Sequence, residues 1–184
     1  MLLLASQSPR RAELLKQLGV SFSQYPVDID ESVLSHETPD KYVRRMAQEK
    51  SSLGYKRAGA KKLVLGADTI VVAENKILGK PKDKTDGMRM LSILSDKSHQ
   101  VFTAVTITNA TQQKTVIVET QVCFGPLNKQ QMAWYWQTGE PQDKAGSYGI
   151  QGLGGQFVKY INGSYSAVVG LPLYQTRMLL IEFG

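Results

Sequence analysis

Leu2-Leu3-Leu4-Ala5-Ser6-Gln7-Ser8-Pro9-Arg10-Arg11 is the stretch on which the fold turns. Three leucines and an alanine read as a short apolar strand. Ser6-Gln7-Ser8 reads as a tight loop, and a helix follows. Ser8 suits the N-cap, because its hydroxyl can accept an orphan N–H of the first turn. Pro9 suits the first helical position, where no N–H is needed and φ is already set. Leu14, Leu15 and Leu18 give that helix one apolar face, and Gly19 can end it. Arg10 and Arg11 fall in the first turn, where the helix dipole is positive and two cations are locally unfavourable. Serine hydroxyls, a helix N-terminus and two guanidinium groups together suit a phosphate or another polyanion. A solvated arginine pair beside an ordinary strand–helix turn is the plainer alternative, and this stretch alone leaves both open.

Downstream, Ser21 to Tyr25 alternates polar and apolar residues, as a strand does. Asp28-Ile29-Asp30-Glu31 then brings three acids in four residues: a solvated loop, or a segment with one carboxylate facing a metal. Thr38-Pro39 opens a second helix. Tyr42, Val43, Met46, Ala47 and Lys50 follow at helical spacing, so Lys50 falls on or near the inward stripe, and Gly54 and Gly59 mark the helix end. There a lysine must snorkel or meet a negative charge. Leu63 to Ala67 is a continuous apolar run, which reads as a central strand covered on both faces. Asp68-Thr69 is expected to end it, with Ile70-Val71-Val72 resuming strand character. A carboxylate between two such runs is costly unless paired or metal-bound. It is either a strand-end residue at a turn or a functional one, and the apolar neighbours favour function.

Glu74-Asn75-Lys76 reads as a hairpin turn. Lys80 stands between Gly79 and Pro81 in a stiff extended segment. Asp83 to Leu94 is helical, with Met88, Leu91 and Leu94 inward. His99–Asn109 and Lys114–Phe124 form an antiparallel hairpin. Asn128 and Gln131 make a capping box for a helix ending near Gly139. The segment Pro141–Gly155 carries five of the 16 glycines, interleaved with Asp143, Lys144, Tyr148 and Gln151. Such a loop lets backbone approach a ligand or simply turns sharply. It has neither a Walker sequence nor a dinucleotide fingerprint. A strand over Gln156–Ile161 and a helix over Leu173–Phe183 close the chain.

With 184 residues and 42% hydrophobic content, the chain can bury a proper core in one large domain or two small lobes. The net charge of +6 admits an anionic partner, but its lysines and arginines are spread along the chain, which weighs against nucleic acid. A single cysteine, Cys123, excludes an internal disulfide. With only His36 and His99 beside it, a Cys/His zinc site is not expected. No segment has the length of a membrane span, the leucines at the start lack a signal peptide's cationic flank, and a cytoplasmic location is the default. No nucleophile–histidine signature is present. Separated cations (Arg10, Arg11, Lys50, Lys80, Lys82, Lys144) and a few carboxylates (Glu31, Asp68, Glu119) suit polyphosphate hydrolysis instead. Cations neutralise developing charge, and a carboxylate holds a metal or takes a proton from water.

Five motifs occur in order: Ser6-Gln-Ser-Pro-Arg-Arg, Gly66-Ala-Asp-Thr-Ile-Val, Gly79-Lys-Pro, Asp143-Lys-Ala-Gly-Ser-Tyr-Gly-Ile-Gln-Gly, and Ile161-Asn-Gly-Ser-Tyr with Val169-Gly-Leu-Pro. From Leu2 to about Leu180 the chain resembles the Maf family of nucleoside triphosphate pyrophosphatases, and within it the dTTP/UTP branch. The resemblance implies a mixed α/β (α+β) fold, similar to that of the inosine triphosphatases. Its sheet is an elongated mixed one flanked by helices, with two lobes and a central cleft, over residues 1–184 as a single domain. It implies hydrolysis between the α- and β-phosphates, with Asp68 as general base and Arg11, Thr69 and Gln151 setting base choice. Ser8, Arg10, Lys50 and Lys80 would grip the triphosphate. Glu31 with Asp68 would hold a divalent cation, Mg²⁺ or Mn²⁺. A homodimer is implied, with no membrane or nucleic acid as partner. A 7-methyl-GTP preference on the same fold, and a nucleotide-binding regulator of septum formation, are the alternatives.

Overall fold

The leucines at the start form β1 (Leu2–Leu4), all buried, and the serine–proline junction starts α1 (Pro9–Lys16) as the sequence suggests. In this computed structural model, which describes residues 1–59 and 62–184, the chain continues in a largely alternating order. The first part holds β2 (Phe22–Gln24), α2 (Pro39–Ala58), β3 (Leu63–Ala73), β4 (Lys76–Leu78) and α3 (Lys84–Leu94). Then come β5 (Ser98–Thr108), β6 (Gln113–Phe124), α4 (Lys129–Gln137), β7 (Val158–Asn162), α5 (Tyr165–Val169) and α6 (Leu173–Glu182). The strands pair in the order β2-β1-β3-β5-β6-β7, with β4 beside β3. β1 is parallel to both β2 and β3, whereas β3/β4 and β6/β7 are antiparallel. The mixed α/β class expected from the sequence is the one observed. Among the described residues no helix is long and apolar enough to cross a membrane.

The residues fall into two compact units. The first comprises Met1–Thr69, Thr103–Val118 and Gly170–Gly184. In it β1 is central: Leu4 pairs with Gln24 on one side and Leu65 on the other. Leu3, Ala5 and Val64 pack with Tyr25, Val27, Tyr55 and Ala58 into one of its apolar clusters. The second comprises Ile70–Phe102 and Glu119–Val169. Its core gathers Leu91 and Leu94 of α3, Val122 and Phe124 of β6 and Tyr135 of α4 around Tyr148 and Phe157.

Two expectations change. β3 does not end at Asp68-Thr69 but runs unbroken through both. Successive strand residues face opposite sides, and each of these two finds polar partners on its own side, so nothing forces a break. α2 does not fray at Gly54, which is buried within a helix reaching Ala58. The turn at Glu74-Asn75 has φ of 51° and 58°, the left-handed pair that a two-residue hairpin needs, and Val71, Val72 and Ala73 pair with Leu78, Ile77 and Lys76. The capping box of Asn128 and Gln131 is formed. The glycine-rich segment folds into short 3-10 turns at Glu140–Asp143, Ala145–Ser147 and Leu153–Phe157. Met88 packs partly buried against the core of the second unit as expected, Met90 is the buried methionine of α3, and Cys123 is half-buried.

Candidate active site

Because β1 leads through α1 to β2 on one side and neighbours β3 on the other, its C-terminal end lies where the connections diverge. In open α/β sheets that is the usual ligand position. The loop Ala5–Ser8 leaves β1 there. Ser6 Oγ accepts from the Ser8 N–H (3.1 Å), and Ser8 Oγ caps α1 by accepting from the Arg11 N–H (3.4 Å). No acidic residue offsets the first turn of α1. Arg10, in that turn, is half-buried.

Arg11 turns back over the strands. Its Nε donates to Gly170 O (2.9 Å), Nη1 to Ser6 Oγ (3.3 Å) and Nη2 to Thr69 Oγ1 (3.3 Å). Thr69 Oγ1 in turn meets Thr103 Oγ1 at 3.0 Å. Burial lowers the Arg11 guanidinium pKa. The Asp68 charge opposes this, and neighbouring Arg10 adds to the lowering. Two residues assigned to base choice by resemblance, Arg11 and Thr69, are thus joined by a hydrogen bond.

On the other face of β3 the chemistry differs. Gly66 lies so close to α2 that a Cβ would stand 2.5 Å from both Ala47 O and Ser51 N. This close approach brings Lys50, in the same stretch of α2, to Asp68, which shares the face of Gly66. Lys50 Nζ lies 2.8 Å from Asp68 Oδ1 and 2.7 Å from Glu31 Oε1. The Lys50 and Asp68 side chains are only 12% and 14% exposed, whereas Glu31 is open to solvent at 54%. Lys50 therefore resolves the choice left by its spacing: it meets negative charge.

Glu31 sits on an acidic loop fastened to α2. The Tyr42 hydroxyl donates to Glu31 O (2.8 Å). Arg45 donates from Nε and Nη2 to the two oxygens of Glu37 (both 2.7 Å) and from Nη2 to Ser32 O (2.8 Å). The Arg45 fork holds the Glu37 carboxyl down at about 2. Burial, with Asp68 and Glu31 nearby, pushes the Tyr42 hydroxyl up to about 12. None of Tyr42, Arg45, Glu37 or Thr103 was singled out from sequence as a site residue. The only advance signal was Tyr42 and Arg45 standing three apart on α2, after an acidic loop.

The remaining candidates belong to the second unit. Lys80 and Gln151 are exposed there, as is Lys82. Lys144 is held by Asp143 Oδ1 (2.6 Å) and Glu140 O (2.8 Å), and Glu119 by Gln100 Nε2 (2.7 Å).

Glu31 and Asp68 fit a divalent cation. They are hard oxygen donors already gathered around one positive charge, the Lys50 ammonium. Among the described residues no group of three or more His, Cys, Asp or Glu forms a cage. A metal here would take two carboxylates and complete its shell with water and phosphate oxygens, as Mg²⁺ does in phosphoryl chemistry.

The family pattern described as Maf-like protein matches residues 1–183. A dTTP/UTP pyrophosphatase of Pseudoalteromonas atlantica is 56% identical over 183 residues, covering 98% of this chain and 95% of that protein. Another, of Vibrio vulnificus, is 52% identical over 182 residues, covering 99% and 98%. Among solved structures, the Ham1 protein of Staphylococcus aureus aligns over 67% of this chain and 71% of its own at 14% identity and a TM-score of 0.49, too distant to bear on activity. With the family pattern running through nearly every residue, and relatives identical at more than half their positions, the chain belongs to the Maf family.

Proposed function

We propose that the protein is a nucleoside triphosphate pyrophosphatase that hydrolyses dTTP and UTP to the nucleoside monophosphate and pyrophosphate. The observation that supports this most is the pairing of Asp68 and Glu31 on one ammonium, Lys50, within the unit that carries the Ser6–Arg11 loop. The relatives named dTTP/UTP pyrophosphatase support the choice of nucleotide.

Asp68 takes the proton from the attacking water as general base. The water oxygen bonds to phosphorus at the α–β bridge, the bridge breaks, and pyrophosphate leaves. Ser8, Arg10, Lys50 and Lys80 bind the triphosphate, with the cations offsetting charge that builds on the bridging and leaving oxygens. Lys50 exchanges its carboxylate partners for phosphate oxygens as substrate enters. Glu31 and Asp68 would hold Mg²⁺ or Mn²⁺, which when bound supplies charge neutralisation at the phosphates. Gln151 donates from its amide to O4 of uracil or thymine and accepts from N3–H. Arg11 and Thr69, locked to each other, shape the base-choosing side of the site. The protein acts in the cytoplasm on the nucleotide pool as a homodimer, with neither nucleic acid nor membrane as partner.

The test is Asp68→Asn with UTP and dTTP. Pyrophosphate release should fall by about 10²–10⁴-fold, the usual worth of a general base. Binding of a non-hydrolysable UTP analogue should persist. Faster turnover of 7-methyl-GTP than of either pyrimidine by the wild-type protein would overturn the choice of base. Binding of dTTP by the wild-type protein without any pyrophosphate release in the presence of Mg²⁺ or Mn²⁺ would overturn the enzyme.

A further inference from the structure

Gln151 is exposed in the middle of a six-residue turn, Gly149-Ile150-Gln151-Gly152-Leu153-Gly154. Such a segment could meet its ligand in many conformations. Here both of its ends are clasped by one pair of side chains. Glu140 Oε1 accepts from the Tyr135 hydroxyl (2.7 Å) and the Gly154 N–H (3.0 Å), and Oε2 accepts from the Leu153 N–H (2.8 Å). The Tyr135 hydroxyl itself accepts from the Gly149 N–H (3.0 Å). Tyr135 is wholly buried in the core of the second unit, so the clasp is anchored to its rigid part.

The glycines of this turn answer to the clasp. A Cβ at Gly154 would stand 2.5 Å from the Tyr135 hydroxyl oxygen, and one at Gly152 would collide with the Glu140 carboxylate. The close backbone approach that the glycine-rich sequence permits is therefore made to the protein's own side chains at these positions. The Glu140 carboxyl is held below its ordinary range. Burial raises it, but the bonds from Tyr135, Gly154 and Leu153 outweigh that.

We infer that Glu140 and Tyr135 are positioning residues for base selection, fixing the Gly149–Gly154 backbone so that Gln151 meets a pyrimidine in one preset orientation. This rests on the assignment of base choice to Gln151. Pre-organisation of this kind saves the ordering cost that a free loop would meet on binding. It also sharpens discrimination, because a fixed backbone limits the positions from which the Gln151 amide can reach the base, and so its freedom to accommodate the 4-amino donor that CTP carries where UTP has an acceptor.

The test compares kcat and KM for UTP and CTP in Glu140→Gln, Tyr135→Phe and Gln151→Ala. Glu140→Gln loses one acceptor and points an amide N–H₂ at a backbone N–H. Tyr135→Phe keeps the core ring and releases Gly149. Both should raise KM for UTP by about 10-fold with kcat within about threefold, and both should shrink the UTP-over-CTP preference by about 10-fold. Amide exchange at Gly149, Gln151 and Gly154 should quicken. In the Gln151→Ala background the effect of Glu140→Gln on preference should vanish. Lowered melting temperature with the UTP-over-CTP preference unchanged in both clasp variants would overturn the inference, provided Gln151→Ala shifts the preference. No shift in Gln151→Ala itself would overturn the base assignment and the inference with it.

Discussion

Arg11 carries more of the site's architecture than its place in a helix first turn suggests. Its three donors reach a loop hydroxyl, a strand hydroxyl and the Gly170 carbonyl, so one side chain ties the β1 loop, β3 and the segment before α6 together. The electrostatic conflict visible in the sequence is real, since Arg10 does lower the Arg11 pKa, but burial is the larger cause and Asp68 the counterweight. Lysine could not replace it: one ammonium at the end of a flexible stem cannot span three acceptors that a planar fork reaches at once. Arg11→Lys should cost about 1–3 kcal/mol in unfolding free energy, because Gly170 O and its neighbours lose charged donors. The same variant should lose preference for UTP over other nucleotides. Urea unfolding and a substrate panel check the two halves separately, and unchanged stability would mean that the fork is not structural.

At the scale of elements, the contact of α2 with β3 does most to build the site. Gly66 permits it, and the register of that contact sets Lys50 against Asp68. Gly66→Ala would drive a methyl into backbone atoms of α2, which cannot swing aside as a side chain can. A loss at or above the upper end of the usual overpacking range, about 3 kcal/mol, is expected. Turnover should fall as well, because Lys50 and Asp68 separate. Gly79→Ala is the control: nothing lies within 4 Å of its Cβ position, its φ is not in the left-handed region, and its stability should change by less than about 0.5 kcal/mol. A similar midpoint for both variants in urea would refute the close-packing account. This contact was half legible in the sequence. Helical spacing put Lys50 on the inward stripe and the apolar run put Asp68 in a central strand. Nothing local told that one would face the other, because that depends on the depth at which α2 rests on β3. The supports of Glu31 were hidden for a similar reason: Arg45 and Glu37 look like ordinary surface charges until the loop folds back.

For the whole molecule, the order of elements, the mixed sheet and the presence of two lobes could be read in advance, whereas most of the boundaries between the two units could not. The chain changes unit at Thr69/Ile70, Phe102/Thr103, Val118/Glu119 and Val169/Gly170. The first three crossings lie inside β3, β5 and β6, where no linker marks them, and only the last coincides with a glycine- and proline-containing stretch, Gly170-Leu171-Pro172. A buried titratable group, also unremarkable in sequence, gives the folded state a pH signature. His99 lies in the core of the second unit, 3% exposed, with Nε2 2.8 Å from the Tyr148 hydroxyl and its ring edge-on to Phe124 at 5.1 Å. Burial pushes it down to about 4 from an ordinary 6.5. Between those values the unfolded chain binds a proton that the folded protein refuses, so stability falls as pH drops through 6.5. By about pH 4 the loss attributable to this residue reaches about 3 kcal/mol. Carboxylates add their own acid dependence, which a paired comparison removes. His99→Gln cannot titrate there, and it should be less stable than wild type at pH 7 because its amide enters an apolar setting. The gap between the two should then close as pH falls, since only the wild type loses the histidine contribution. Unfolding free energies measured by urea at pH 7, 6, 5 and 4 give the difference directly. A gap that stays constant across that range would mean that His99 is protonated as readily in the folded core as in water, which its surroundings of tyrosine hydroxyl and phenylalanine ring do not permit.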